Sequence, residues 1–160
     1  MLKGGAAAWY EDNRLPMQRN GRLEECYWSY TFTPVFDEDG NIRGVLVMSQ
    51  ETTSGVLAER RRLALDRLSA GMVSCGTIAE VWQRVQEAAA TAPNDIRAVH
   101  MGGGDSDADP ATWVSIAAAD LGLPTALVLD FEVSPVLPFD QLYGQFLEQF
   151  TRIAGAACTL

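Results

Sequence analysis

The 160-residue chain is poor in positive charge and has no long apolar run. Its 12 Lys and Arg residues stand against 21 Asp and Glu residues, which gives a formal net charge of −9. Nucleic acids and anionic membrane surfaces attract clustered Lys and Arg, so we expect neither as a partner. No apolar run approaches the roughly 20 residues of a membrane span, and the first residues lack the basic-then-apolar pattern of a signal peptide. We therefore expect a cytoplasmic protein.

Histidine and cysteine are also scarce, with one histidine and three widely spaced cysteines. A structural zinc site needs four such ligands at short spacings, so we expect no metal. An odd number of dispersed cysteines is typical of free thiols in a reducing compartment. The G-x-S-x-G nucleophile pattern and the GK[ST] phosphate loop are both absent. We therefore expect a protein that is not an enzyme. An uncharacterised enzyme is the last of three hypotheses, after the two non-enzymatic functions described below.

The clearest secondary-structure pattern is an alternation of side chains over residues 24–35. Trp28, Tyr30 and Phe32 share one face of this segment, and mainly Ser and Thr residues occupy the other. A period of two is typical of a β-strand with two different faces. The aromatic face is a candidate ligand-binding surface, although aromatic residues in this pattern more often form a core.

Two further strands complete a predicted antiparallel meander. Gly40 closes a hairpin turn after the first strand, because glycine supplies the positive φ that such turns need, and residues 42–49 form the next strand. Residues 6–12 form a strand earlier in the chain, and residues 15–21 follow it as a loop. Three strands need a cover to be stable, so we expect other elements to supply one.

A helix is predicted at residues 54–72, directly after the meander. Leu57, Ala64, Leu68 and Met72 fall near heptad spacing. This spacing fits a docked helix with a charged, solvated face, and also a seam between the parallel helices of a dimer. The pattern is too short to decide between the two.

The same helix carries the strongest basic cluster in the chain, Arg60, Arg61 and Arg62. Acidic residues flank it at Glu59 and Asp66. This arrangement favours salt bridges at the surface over an anion-binding site.

The rest of the chain alternates helices and strands. Thr77 and Glu80 form a capping box, in which each side chain satisfies a backbone amide of the other residue, at the start of a helix to about residue 91. The other predicted elements are a strand at 96–101, a loop at 102–109, a helix from Pro110 to Leu121, a central strand at 125–133 and a helix at 139–158. With 48% hydrophobic and 21% charged residues the composition is globular, and we expect one α+β unit.

Two parts of the sequence resemble domains of bacterial sensor histidine kinases. EECYWSYTFTPVFDEDGNIRGVLVMSQETT, followed by AERR, resembles the last third of a PAS domain. IAEVWQRVQEAAATAPNDIRAVHM resembles the first helix and strand of a GAF domain, and PTALVLDFEVSPVLPFDQLYGQFLEQFTRIAGA resembles its last strand and helix. The resemblance implies PAS-like strands at 1–53, a linker helix at 54–76 and a shortened GAF-like part at 77–160, with the ligand-binding middle of each domain missing.

The resemblance also implies a function, that of a non-enzymatic sensory module in two-component signal transduction, acting by protein association. The implied partner is a second copy of the chain, a sensor kinase or another signalling protein, bound through the 54–72 helix and the C-terminal helix. Small-molecule sensing over Trp28, Tyr30 and Phe32 is the alternative. The PAS-like part has no flavin-adduct cysteine motif and no haem-ligating histidine, so we expect no cofactor.

Overall fold

The computed structural model describes residues 6–102 and 112–158. The chain divides into two compact units, an N-terminal unit up to Leu57 and a C-terminal unit from Ala58. Both contain antiparallel β-sheet, and the described residues also form three α-helices, so the structure is α+β, the coarse class that we predicted. The sequence led us to expect one compact unit, whereas the structure has two.

The N-terminal unit is built on a three-stranded antiparallel sheet. Its strands are β1 (Ala8–Arg14), β4 (Tyr27–Phe36) and β5 (Ile42–Glu51), in the order β1-β4-β5. Gly40 lies in the turn between β4 and β5 with φ of 80°, as the hairpin prediction requires. The predicted meander is therefore present, with β4 as its central strand.

The loop that we predicted at residues 15–21 is wrong, because most of this segment belongs to a second hairpin. It consists of β2 (Met17–Arg19) and β3 (Arg22–Glu24), paired antiparallel. Asn20 and Gly21 form its two-residue turn, with φ of 51° and 78°. An Asn-Gly pair with positive φ at both positions is the preferred connection for a tight hairpin, so the same residues that interrupt a strand also join two strands.

The C-terminal unit combines helices with a second three-stranded sheet. Its strands β6 (Ile96–Met101), β7 (Trp113–Ala117) and β8 (Val128–Val133) are ordered β6-β8-β7, so β8 is central, as its apolar sequence predicted. The helices are α1 (Thr53–Met72), which begins in the N-terminal unit, α2 (Ile78–Ala89) and α3 (Gln141–Ala157).

The predicted capping box begins α2. The backbone N–H of Glu80 donates to Thr77 Oγ1 at 3.3 Å, and the backbone N–H of Thr77 donates to Glu80 Oε2 at 3.0 Å. The Gly76 amide donates to the same carboxylate at 2.8 Å. These bonds hold the pKa of Glu80 below its ordinary value, with the Gly76 amide as the largest cause.

The helix predicted from Pro110 to Leu121 is wrong in the part that the structure describes. Residues 113–117 form β7, which pairs with β8 through Ser115 opposite Asp130. An aromatic residue and two β-branched residues in five favour a strand. A 3-10 turn, Ala118–Leu121, follows β7, and Gly122 ends it with φ of 81°. The loop prediction for 102–109 and the predicted helix start at Pro110 fall mainly or wholly on residues outside the described ranges.

Helix α3 covers one face of this second sheet. Phe131 of β8 meets Phe150 edge to face, with ring centroids 5.8 Å apart, and Phe150 meets Phe146 at 6.1 Å. Edge-to-face pairs add to the free energy gained by apolar burial. Phe131, Phe150 and Leu147 are fully buried, so these residues form the core of the C-terminal unit.

We expect Gly155→Ala in α3 to destabilise the protein by about 1–3 kcal/mol, the usual cost of overpacking. A Cβ at position 155 would lie 2.9 Å from both Ala118 Cβ and Leu123 Cδ1. Gly144→Ala is the matched control, because the nearest atom to its Cβ is 4.0 Å away, on Phe139. The control should gain about 0.5–1 kcal/mol in helix stability. Urea unfolding of both variants checks the prediction, and equal stabilisation of the two would contradict it.

Candidate functional site

The predicted aromatic face exists on the sheet of the N-terminal unit, and Tyr10 of β1 joins it. The Tyr10 and Tyr30 rings stack with centroids 5.1 Å apart, and Phe32 presents its edge to both, at 6.1 and 5.5 Å. Asn13 Nδ2 donates to Tyr30 Oη at 2.6 Å. Trp28 lies on the same face, opposite Asn13. The three predicted residues are half-buried, so this face is a partly covered aromatic cluster.

The opposite face of that sheet is also apolar, which the alternation in β4 alone did not indicate. Trp9, Leu46 and Met48 lie on it, because the strand register places them with Thr31 and Thr33. Their exposed fractions are 64%, 52% and 60%. A group of exposed apolar side chains on one face of a sheet is typical of an interaction surface. Val47, on the aromatic face, is also 51% exposed.

Most of the residues predicted to form a helical dimer seam are buried within the chain. Ala64 and Leu68 of α1 are fully buried and Met72 is 8% exposed, whereas Leu57 is half-buried. Heptad-like spacing marks an apolar stripe, and such a stripe packs against the same chain as readily as against a second helix. The seam therefore stays a prediction.

The arginine cluster of α1 is divided between the surface and the interior. Arg62 forms ion pairs with Glu59 and Asp66 one turn away along the helix, as we expected. Arg60 and Arg61 instead point their Nε atoms at the carboxylate of Asp95, at 2.5 and 2.7 Å. Asp95 is fully buried. No local pattern in the sequence indicated this partner, which lies 34 residues beyond Arg61.

Tyr143 of α3 completes the cluster around Asp95. Its hydroxyl donates to the backbone carbonyl of Asp95 and accepts from the Ser134 amide at 3.1 Å. The guanidinium of Arg61 lies over the Tyr143 ring, 4.4 Å from its centroid. Burial raises the pKa of the Tyr143 phenol to about 12. We call Arg60, Arg61, Asp95 and Tyr143 the buried arginine cluster.

A polar row crosses the outer face of the second sheet. His100, Asp130 and Ser115 are cross-strand neighbours on β6, β8 and β7. The Ser115 hydroxyl donates to the Asp130 carboxylate, and the His100 ring meets Trp113 edge on at 4.9 Å. An activated serine needs a hydrogen bond to a histidine base, and here the serine hydroxyl is engaged by the aspartate instead.

An open cleft of about 490 Å³ lies between α2 and β6 in the C-terminal unit. It is lined by Trp82, Gln86 and residues 99–102. Its volume falls within the roughly 300–1,000 Å³ of small-molecule sites. The predicted ligand residues Trp28, Tyr30 and Phe32 do not line it.

The three cysteines are free thiols, with Cys26 and Cys75 buried and Cys158 half-buried. Burial raises the pKa of the Cys158 thiol. Among residues 6–102 and 112–158, no three potential metal ligands come together. Within the same ranges, no helix combines the length and apolarity that crossing a bilayer demands.

We expect Asp95→Asn to lower the free energy of unfolding by about 3 kcal/mol or more, because it removes the carboxylate that pairs with the buried guanidinium of Arg61. Asp66→Asn is the matched control, since Asp66 is the exposed partner of Arg62 and exposed pairs contribute little. Urea unfolding followed by circular dichroism measures both variants. Similar midpoints for the two would show that Asp95 is not a structural anchor.

The raised pKa of Tyr143 predicts a loss of stability in alkali. The unfolded phenol ionises near pH 10 and the folded one near 12, so the unfolded chain releases its proton first. The contribution of the Tyr143 phenol to the free energy of unfolding is therefore complete below about pH 10. Between about pH 10 and pH 12 it falls by up to about 1.4 kcal/mol per pH unit. Tyr143→Phe should be less stable than wild type at neutral pH, with a difference that narrows above pH 10. Parallel pH profiles from urea unfolding would rule this out.

Comparison of the sequence with family models and with curated proteins finds no significant match. The resemblance to PAS and GAF domains therefore stays a prediction, and the function has to be argued from the surfaces described above.

Proposed function

We propose that this chain is a non-enzymatic signal-transduction module that acts by protein association, first of all with a second copy of itself. The observation that carries the proposal is the uncovered apolar surface of the N-terminal sheet. Leu46, Val47 and Met48 are consecutive, apolar and each more than half exposed. Burying such a patch against a partner gives a favourable free energy of roughly 25 cal/mol per Å².

The position of this patch supports association over ligand binding. In a strand, successive side chains point to opposite faces, so Val47 and its two neighbours expose apolar groups on both sides of the sheet. A small-molecule site is concave and encloses most of its ligand, whereas these side chains project from a strand at the border of a sheet. A partner protein can cover such a border on both sides.

Small-molecule sensing is the second candidate, and the cleft beside Trp82 favours it. Trp82 is half-buried and offers an aromatic wall, and Gln86 offers an amide on the next turn of α2. Pockets of this kind bind through apolar walls and a few polar groups. An added mass that survives purification, and is lost in Trp82→Ala, would favour this function.

We expect the purified protein to form a dimer without extra mass in native mass spectrometry, with a 17.4 kDa monomer as its unit. Met48→Glu should raise the dissociation constant at least tenfold, because it puts a charge into the apolar contact. Sedimentation equilibrium over a range of protein concentrations measures this change.

Val73→Glu is the matched control. Val73 is 88% exposed and follows α1 in the C-terminal unit, away from the proposed surface in sequence. The dissociation constant of the Val73→Glu dimer should equal that of the wild type. A wild-type protein that stays monomeric at all concentrations would overturn the proposal, and equal weakening by both substitutions would remove the N-terminal sheet as its surface.

A further inference from the structure

Strand β5 is an open edge of the N-terminal sheet. The strand order β1-β4-β5 leaves it with no further strand beside it in the described part of the chain. It is ten residues long, and positions 44–50 contain neither charge nor proline. Long apolar edges without such protection pair with other chains.

The other edge, β1, is interrupted in its middle, whereas the register shift of β5 against β4 lies only at its start, between Ile42 and Gly44. Glu11 and Asp12 lie within it, and the pairing with β4 is interrupted by a bulge between Tyr10 and Asn13. Asp12 has φ of 47°, which distorts the strand further. Charges and bulges block the approach of a second strand, so the part of β5 that follows Gly44 is the edge open to pairing.

The hydrogen-bond pattern shows which backbone groups of β5 point outward. The Thr52 amide donates to the Tyr27 carbonyl at 2.9 Å, so this pair is hydrogen-bonded. Hydrogen-bonded and non-hydrogen-bonded pairs alternate along an antiparallel ladder. The backbone N–H and C=O groups of Gln50, Met48 and Leu46 therefore point toward β4, and those of the odd-numbered residues between them point away from it. Pro34, which has no backbone N–H, fits this pattern. It lies opposite Val45, and in this alternation the two residues form a non-hydrogen-bonded pair.

The outward groups belong to Val45, Val47, Ser49 and Glu51. An antiparallel pair of two β5 strands can form hydrogen bonds only when outward residues face outward residues. Centring the pair on Val47 meets this condition, since Val47 then faces its own copy and Val45 faces Ser49. The geometry of the edge therefore permits self-pairing without change to the monomer.

Charge selects this register from its neighbours. Centred on Val47, the pair brings Arg43 of each chain, which lies in the register shift at the start of β5, to the level of Glu51 of the second copy. Opposite charges across a ladder stabilise it. Moving the centre by one residue in either direction places Arg43 opposite Ser49 or beyond the end of the strand. Within one chain, Arg43 Nε lies 2.7 Å from Asp37 Oδ2, and Arg19 Nη2 lies 2.8 Å from Glu51 Oε2. Each end of the pair would thus carry four charges of alternating sign.

We propose that two copies of this chain pair antiparallel through β5, centred on Val47, to form one continuous six-stranded sheet. This inference rests on the proposed function of association and identifies its partner and register. The two faces of the combined sheet are continuous, so each apolar face doubles in width. Leu46 of one chain lies opposite Met48 of the other, which brings together two of the exposed side chains.

Cysteine cross-linking tests the register directly. Val47→Cys should form a disulfide-linked dimer under mild oxidation, because facing residues in a hydrogen-bonded pair have Cα atoms about 5.5 Å apart, within the range of a disulfide. Leu46→Cys and Met48→Cys are matched controls of similar exposure. In this register each lies diagonally from its own copy, at about 7–8 Å, and should cross-link at least tenfold less. Cys158→Ser in all three removes the half-buried native thiol.

Each outcome decides between defined alternatives. Preferential cross-linking at position 47 supports the proposal, and preferential cross-linking at 46 or 48 overturns the register. A dimer in native mass spectrometry that cross-links at none of the three positions overturns pairing through β5 but leaves the association function in place. A protein that is monomeric in that measurement overturns both. Non-reducing gel electrophoresis and the mass of the uncross-linked protein separate these cases.

Discussion

The carboxylate of Asp95 is the contact on which the C-terminal unit depends. It binds Arg60 and Arg61 of α1, and the backbone carbonyl of the same residue accepts the hydroxyl of Tyr143 from α3. One residue before β6 thus joins two helices that are far apart in the sequence. Removing charges from water costs several kcal/mol per ion, so such a cluster is favourable only when its geometry is well satisfied. That demand restricts how α1, α3 and β6 can be arranged, which is a stronger constraint than apolar contact alone provides.

The N-terminal unit is stabilised differently, and this difference underlies the proposed function. Its sheet is held by backbone ladders and by the aromatic cluster around Tyr30, while Trp9, Leu46 and Met48 remain exposed on the other face. Three strands offer few opportunities to bury apolar groups on both faces. Burial of these side chains against a partner would add favourable free energy. We therefore place the proposed association at the N-terminal sheet, and not at the sheet that α3 covers on one face.

The sequence predicted the elements whose patterns are local. The alternation in β4, the Thr77 and Glu80 capping box and the apolar run of β8 each occur within a few residues, and the structure confirms them. The prediction for residues 113–117 was wrong because so short an apolar segment fits both a strand and a helix, and only pairing with β8 decides. The ion pairs of Asp95 span more than 30 residues, so no local pattern could indicate them. Heptad spacing at Leu68 predicted an apolar stripe correctly but not what would cover it.

The continuity between β5 and α1 gives association at the sheet edge a route to the rest of the chain. Only Thr52 separates the two elements, and Thr53, the first residue of α1, donates to Glu51 Oε1 at 2.9 Å. The Thr53 hydroxyl also accepts the Tyr27 amide at 2.9 Å, which ties the helix start to the central strand. Glu51 therefore contacts the start of α1 while lying at the end of the open edge. In the dimer that we propose, a second copy that engages Glu51 would change the surroundings of these bonds at the start of α1. The charge that selects the proposed register is therefore also one that contacts the helix following the sheet.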